Sequence, residues 1–435
     1  MEAGERSGRR PATRWFLSKL PPAIRGRDYF LLWSSLVLES LGINMVAVAI
    51  GWQVYGLHHS AFDLGLIGLA EFVPLLVLAL PVGQLADHMS RRLLFAAALG
   101  LSTVVTLLLL VITIEGTTAL WPFLTLAAGN GVGFALAGPG ARALGPSLVA
   151  PELLQSAMAL RSVAFQGGTV VGPALGGLLF AIDAQVVYSV AAALIALGAL
   201  AVVAIHEPVS GVVAGEREAI SIRSVLAGIS FIRRTPVMLG AITLDLFAVL
   251  FGGAVALLPL FARTILHTGP IGLGILRSAP AVGALAAGVM LTRRPLQGRT
   301  GPTLLVVVAA FGVATVVFGL SRSFPLSLAA LAIAGFVDMI SVNIRSTIAV
   351  VAPPNEVRGR VVAVEMVFIS ASNELGAFES GAAAALLGAV PAVVAGGVLT
   401  IALAAVWKWV FPALATIDRI EELAPRPVEA LEPAV

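Results

Sequence analysis

Long apolar runs with almost no charge inside them constrain this chain more than any other feature. Leu93 to Ile114 contains no charged residue, and Leu64 to Pro81 contains one, Glu71. A helix needs about 20 consecutive apolar residues to cross a bilayer. Runs of roughly that length recur near 29–56, 62–86, 93–114, 118–139, 153–181, 184–206, 236–263, 268–292, 302–321, 324–349, 358–388 and 390–412. They are continuous rather than alternating, which indicates helices and not a barrel. Composition agrees, with 58% hydrophobic and 12% charged residues and a mean hydropathy of +0.99, against about 25% charged residues in soluble domains. The expected fold class is an all-α membrane protein of twelve transmembrane helices.

Several function classes fall away at once. With no cysteine, disulfides, thiolate catalysis and Cys-zinc sites are excluded. His58, His59, His88, His206 and His267 all fall near span ends and make no spaced metal site. A net charge of +3 with dispersed basic residues argues against nucleic acid as a partner. No phosphate-binding glycine loop, dinucleotide fingerprint or Ser-His-Asp arrangement occurs where water could reach it. An enzyme is not expected, nor a cofactor. The basic stretch 1–29 precedes a run too long for a signal peptide and without a small-residue cleavage site, so it leads into a first span that is kept. The six tryptophans mostly fall near expected interfaces and read as anchors.

Arginine placement fixes an orientation. With the N-terminus in the cytoplasm, that side holds the N-terminal arm, Arg91, Arg92, Arg142, Arg217, Arg223, Arg233, Arg234, Arg293, Arg294, Arg299, Arg345, Arg358 and Arg360, and Lys408, Arg419 and Arg426 near the C-terminus. The other side keeps Arg263 and Arg322. This is the asymmetry of the positive-inside rule.

One long connection, 207–235, divides the chain. Ile220 to Arg234 sets Ile222, Val225, Ile229 and Ile232 against Arg223, Arg233 and Arg234 at helical spacing. That suits either an amphipathic helix on the inner membrane face or an extension of span 7. The halves repeat. Glu71-Phe-Val-Pro74 corresponds to Arg277-Ser-Ala-Pro280, and Val149-Ala-Pro151-Glu152 to Val351-Ala-Pro-Pro-Asn-Glu356. The expected division is a cytoplasmic arm 1–28, a six-helix bundle 29–206, a cytoplasmic linker 207–235, a second bundle 236–412 and a cytoplasmic tail 413–435. Parallel duplication of this kind places a substrate between the halves near the midplane.

The loop between spans 2 and 3 reads Gly83-Gln-Leu-Ala-Asp87-His-Met-Ser-Arg91-Arg92. It resembles the signature loop of the major facilitator superfamily and departs from it at Ser90, where glycine is usual. The resemblance implies that Gly83, Asp87, Arg91 and Arg92 latch one transport state against Arg358 and Arg360 at the start of span 11. Span 5 carries Gly168-x-x-x-Gly172-Pro173-x-x-Gly176-Gly177, which resembles the antiporter motif of the superfamily's exporters. Plain small-residue packing against span 8 would need the same residues. The arginine usual in span 4 of drug-proton antiporters is absent, with Ala127 in its place, although Gly131-Val-Gly133 is present. Leu154-Gln-Ser-Ala-Met-Ala-Leu160, Gly272-Leu-Gly-Ile-Leu-Arg277 and Asn355-Glu-Val-Arg-Gly-Arg360 are similar to the enterobactin-exporter-like branch.

Charges at bilayer depth are costly and point to function by default. They are Glu39, Glu71 and Arg161 in the first half and Asp245, Arg277, Asp338, Glu365, Glu374 and Glu379 in the second. All fall on spans that line the cavity in this superfamily. Asp245 and Arg277 could pair. Glu39 and Glu71, both near the midplane, could repel one another and exchange protons. Glu365 and Glu374, nine residues apart, point to opposite sides of their helix. The reading implied is an exporter of a siderophore or small amphipathic compound from the bacterial inner membrane, driven by the proton gradient. The chain would act as a monomer whose partners are the lipid and a small-molecule substrate. A proton-coupled importer and a lysophospholipid flippase are the alternatives.

Overall fold

In a computed structural model, described over residues 21–206, 222–296 and 298–424, with the side chains of 79–80, 83–88, 143 and 222–225 left aside, twelve helices are long and apolar enough to cross a membrane. Spans 1 to 6 are Arg27–His58, Ala61–His88, Arg91–Ile114, Leu120–Ser147, Leu154–Phe180 and Ala184–Val203. Spans 7 to 12 are Pro236–Ile265, Gly269–Arg293, Thr300–Leu320, Phe324–Val351, Asn355–Leu387 and Ala389–Val410. The described residues contain no strand. The face holding the starts of the odd-numbered spans is called the basic face below, after Arg91, Arg92, Arg293, Arg294, Arg358 and Arg360 at those ends.

Packing repeats between the halves. Span 1 packs on 5 and 6, 2 on 4, and 3 on 4 and 6; span 7 packs on 11 and 12, 8 on 10, and 9 on 10 and 12. Close approach is built from glycine in both copies. A Cβ at Gly131 of span 4 would fall onto the Glu71 carbonyl of span 2, and one at Gly335 of span 10 onto the Pro280 carbonyl of span 8. Across the halves the main contacts are spans 2 with 11 and 5 with 8, a pair of seams related by the same repeat.

The hydrophobic cores show how the halves meet. Away from the basic face a single core joins both, from Met45, Leu64, Leu109 and Tyr188 to Leu257, Phe261, Leu273 and Phe318. Toward the basic face there are two separate cores. One, around Tyr29, Leu32, Phe95 and Leu144, belongs to the first half. The other, around Leu244, Leu304, Ile344 and Trp407, belongs to the second. The molecule is closed at one face and divided at the other.

Several expectations change in detail. Span 4 continues through Pro139 to Ser147, because Gly140 lets it press onto the Phe95 turn of span 3. Arg142 is therefore inside span 4 and not in a loop at the basic face, and Arg345, assigned to that face by charge, lies within span 10. Segment Ile222–Arg234 is a helix of its own, ended at extended Thr235 before Pro236 opens span 7. It rests on span 11, with Gly228 against the Arg360 carbonyl. Span 7 breaks at Gly252–Gly253 and resumes as a 3-10 turn, Ala254–Leu257. The freed Gly253 carbonyl accepts a hydrogen bond from Ser380 Oγ at 3.2 Å, as a break at membrane depth requires. Trp407 is a core residue that donates to the Gly240 carbonyl at 2.8 Å, whereas Trp121 and Trp409 are exposed as anchors would be.

Candidate functional site

The charges within the spans gather into three clusters. The first lies in the N-terminal half, where Arg161 of span 5 faces Glu39 and Tyr29 of span 1. Tyr29 Oη also donates to the Ala157 carbonyl at 2.5 Å, holding span 1 to span 5. Arg142 faces Arg161 and reaches across the halves to Met366 Sδ at 2.7 Å.

The second cluster bridges the halves. Glu71 of span 2 faces Glu374 of span 11 and Arg277 of span 8. No N···O contact of 4.0 Å or less ties Arg277 to either acid among the described residues, so the grouping is loose. Glu39 faces Arg161 while Glu71 faces Glu374 and Arg277. The expected repulsion between Glu39 and Glu71 gives way to two separate environments.

The third cluster lies within the C-terminal half, and its centre was missed from the sequence. Arg345 of span 10 is 5% exposed and forms an ion pair with Asp245 of span 7. Its Nε donates to the Ser341 carbonyl at 3.3 Å and to Ser341 Oγ at 3.2 Å. Asp338, one helical stretch back on span 10, is 4.0 Å from Arg345 Nη2. Glu365 of span 11 lies within electrostatic range of Arg345 and Asp245. The expected Asp245–Arg277 pair does not form, because Arg345 takes Asp245 and Arg277 turns to the seam. The signal available was depth: Arg345 stands six residues inside the end of its span, too far for a topology anchor. Glu365 and Glu374 do point apart, one into the C-terminal half and one into the seam. Glu379 joins none of these clusters among the described residues.

A cavity of about 1220 Å³ runs from Arg299, Asp418 and Arg419 at the basic face to Gln166 of span 5 and Met339 of span 10. Its walls are mainly spans 8 and 10 with segments 295–296, 298–300 and 418–421, and Gln166 is the lining residue from the first half. The side chain of Asp338 is 45% exposed although it sits in mid-span.

A family model described as transmembrane secretion effector matches residues 18–432. The chain belongs to that family of the major facilitator superfamily. The transporter is 28% identical over 377 residues to the multidrug efflux pump Tap of Mycolicibacterium fortuitum, across 82% of this chain and 89% of the pump. It is 29% identical over 355 residues to the enterobactin exporter EntS of Citrobacter koseri, across 79% and 81%. Its fold is similar to that of a bacterial homolog of the human lysosomal transporter Spinster, with a TM-score of 0.68, 15% identity and coverage of 94% and 98%. Relatives and fold are those of a transporter and not of an enzyme.

The transporter's two motifs fare differently. In span 5, Gly168, Gly172 and Gly176 face span 1, against Ser40, Asn44 and Met45. Gly177 alone faces span 8, where it meets Pro270 and Gly274, and Pro173 meets Gly274. Packing against span 8 thus accounts for one end of the motif only. In the signature loop, the side chains at Gly83 and Asp87 lie outside those described. Ser90 caps span 3 by accepting from the Leu93 N–H at 3.1 Å, which gives this chain's departure from glycine a local role. Arg92 Nη1 donates to the Ile205 carbonyl at 2.5 Å, tying span 3 to span 6. Arg91 is exposed at the start of span 3. At the start of span 11, Arg358 Nε is buried with no hydrogen-bond partner among the described residues, and the Arg360 carbonyl supports the linking helix at Gly228.

Proposed function

We propose that the transporter exports a siderophore or small amphipathic compound across the bacterial inner membrane, by alternating access and in exchange for protons. The single observation behind this reading is the arrangement of cores, one at the closed face and two at the divided face. Two rigid halves that rock over the 2–11 and 5–8 seams would open and close such a molecule at either end. The basic face is assigned to the cytoplasm with both termini, following the positive-inside rule. The cavity then opens inward, ready to take cargo from the cell. The likeness to an efflux pump and a siderophore exporter favours outward transport, and the small-residue run of span 5 agrees. Protons from the gradient are the energy source. The partners are the cargo and the lipid bilayer, and one chain is the working unit.

Everted membrane vesicles test the direction and the coupling. An inside-acid gradient is expected to drive uptake of a labelled amphipathic cargo, and collapsing the gradient with an exchanging ionophore is expected to stop it. Uptake that survives the collapse contradicts proton coupling. The latch has its own test. Asp87→Asn is expected to slow turnover about tenfold, from the loss of about 1.4 kcal/mol of state preference, with cargo affinity nearly unchanged. Unchanged turnover would remove Asp87 from that role.

A further inference from the structure

The chain folds back on itself after span 12. One helical turn, Pro412–Ala415, and a 3-10 turn, Ile420–Leu423, follow it at the basic face. Leu414 and Ile417 are buried, and Ile420 and Leu423 pack on the core of the second half. The first N–H groups of a helix have no partner within it, and at the start of span 9 this tail supplies them. Arg299 N donates to Asp418 Oδ1 at 2.6 Å. Thr300 N and Gly301 N donate to the carbonyls of Asp418 and Ile417, each at 3.0 Å. Thr300 Oγ1 adds a bond to the Asp418 carbonyl at 2.9 Å. Gly298 and Arg299, both with left-handed backbone, shape this approach, and Gly301 leaves room for the Leu414 carbonyl. Between Gly288 and Arg299 the sequence has Arg293, Arg294 and Arg299 but no acid. Asp418 is the acid brought to that stretch.

The cavity at the basic face depends on this fold-back. Spans 5, 8 and 10 line it with uncharged residues, among them Gln166, Thr292 and Asn343. Its charged lining residues, among those described, are Arg299, Asp418, Arg419 and Glu421, so three of the four come from the tail. No ion pair fixes the side chains of Arg299, Arg419 or Glu421 among the described residues.

We infer that the tail segment Phe411 to Leu423 is a wall of the cavity, that Asp418 is the positioning residue that holds it there, and that Arg419 and Glu421 on it select by charge what enters. The molecule this cavity suits is amphipathic. Its uncharged, hydrogen-bonding body lies among Gln166, Thr292 and Asn343, and its charged group stays at the mouth beside the tail. Calling that molecule the cargo rests on the export reading. The wall and its charge can be observed without any cargo.

Thiol labelling reads this directly, because the chain has no cysteine. Asn343→Cys places one thiol in the cavity of the purified full chain in lipid. Its rates of reaction with a cationic and an anionic methanethiosulfonate give a charge ratio. At low salt, Arg419→Glu is expected to move that ratio about fivefold toward the cationic reagent, and Glu421→Arg to move it the other way. Raising the ionic strength to about 1 M is expected to shrink both shifts. Asp418→Ala is expected to abolish the effect of Arg419→Glu, because the wall is released. Asp418→Asn keeps an acceptor for the Arg299 N–H and is expected to preserve it. A ratio indifferent to Arg419 and Glu421 overturns the wall. An Arg419 effect of full size in Asp418→Ala overturns the role of Asp418. Should Asn343→Cys fail to fold, Thr292→Cys on span 8 reports from the same cavity. If the ratio moves as expected while vesicles transport nothing outward, the wall stands and the export reading falls.

Discussion

Arg345→Ala is expected to destabilise the protein by about 3–5 kcal/mol, the usual cost of removing one partner of a buried ion pair. Asp245 is 7% exposed, and the substitution leaves its charge facing Asp338 and Glu365 with no cation. The double variant Arg345→Gln, Asp245→Asn is expected to recover most of that loss, because it removes both charges and keeps both shapes. Detergent unfolding of the purified variants measures the two values. Equal losses in the single and the double variant would mean that Arg345 contributes packing alone. Transport separates the roles further, since the double variant should fold yet exchange poorly.

Gly177→Val is expected to act on the equilibrium between states more than on folding. A Cβ at Gly177 runs into the Pro270 carbonyl and approaches Gly274, across the seam between spans 5 and 8. The clash exists only while the halves are closed at the face opposite the basic one. Overpacking of this kind costs about 1–3 kcal/mol, a shift of roughly 5- to 150-fold toward the state that opens there. Gly172→Val provides the contrast. Gly172 packs on Leu41 and Asn44 within the same half, so its substitution should lower stability and leave the balance of states alone. Thermal unfolding beside accessibility labelling at each face distinguishes the two.

The architecture was legible in the sequence because lipid leaves the backbone little choice. Twelve apolar runs became twelve helices, and the repeated Pro-Glu segments mark equivalent corners of the two halves. Sequence spacing could not assign ion pairs. Asp245 and Arg277 sit at matching depths on adjacent spans, yet the rotation of span 10 brings Arg345 to Asp245. Arg142 was misplaced because the apolar run ends near Pro139, whereas packing of Gly140 carries the helix past it. The span 5 glycines were recognised as a contact surface. Which neighbour they touch depends on helix rotation, a property of the assembled bundle. Span 7's break at Gly252–Gly253 was hidden within an otherwise uniform apolar run.

Alternating access over the two seams is the central claim, and the absence of cysteine makes its direct measurement simple. Spin labels are placed on introduced cysteine pairs at the two ends of one seam. Gln155 with Thr292 reports the basic face, and Ile182 with Ile271 reports the opposite face; all four positions are exposed. Pulsed distance measurements in lipid are then made at low and high pH. The account predicts that the two distances change in opposite senses, one shortening as the other lengthens. Two distances that move together, or neither moving under conditions where vesicles transport, would contradict it.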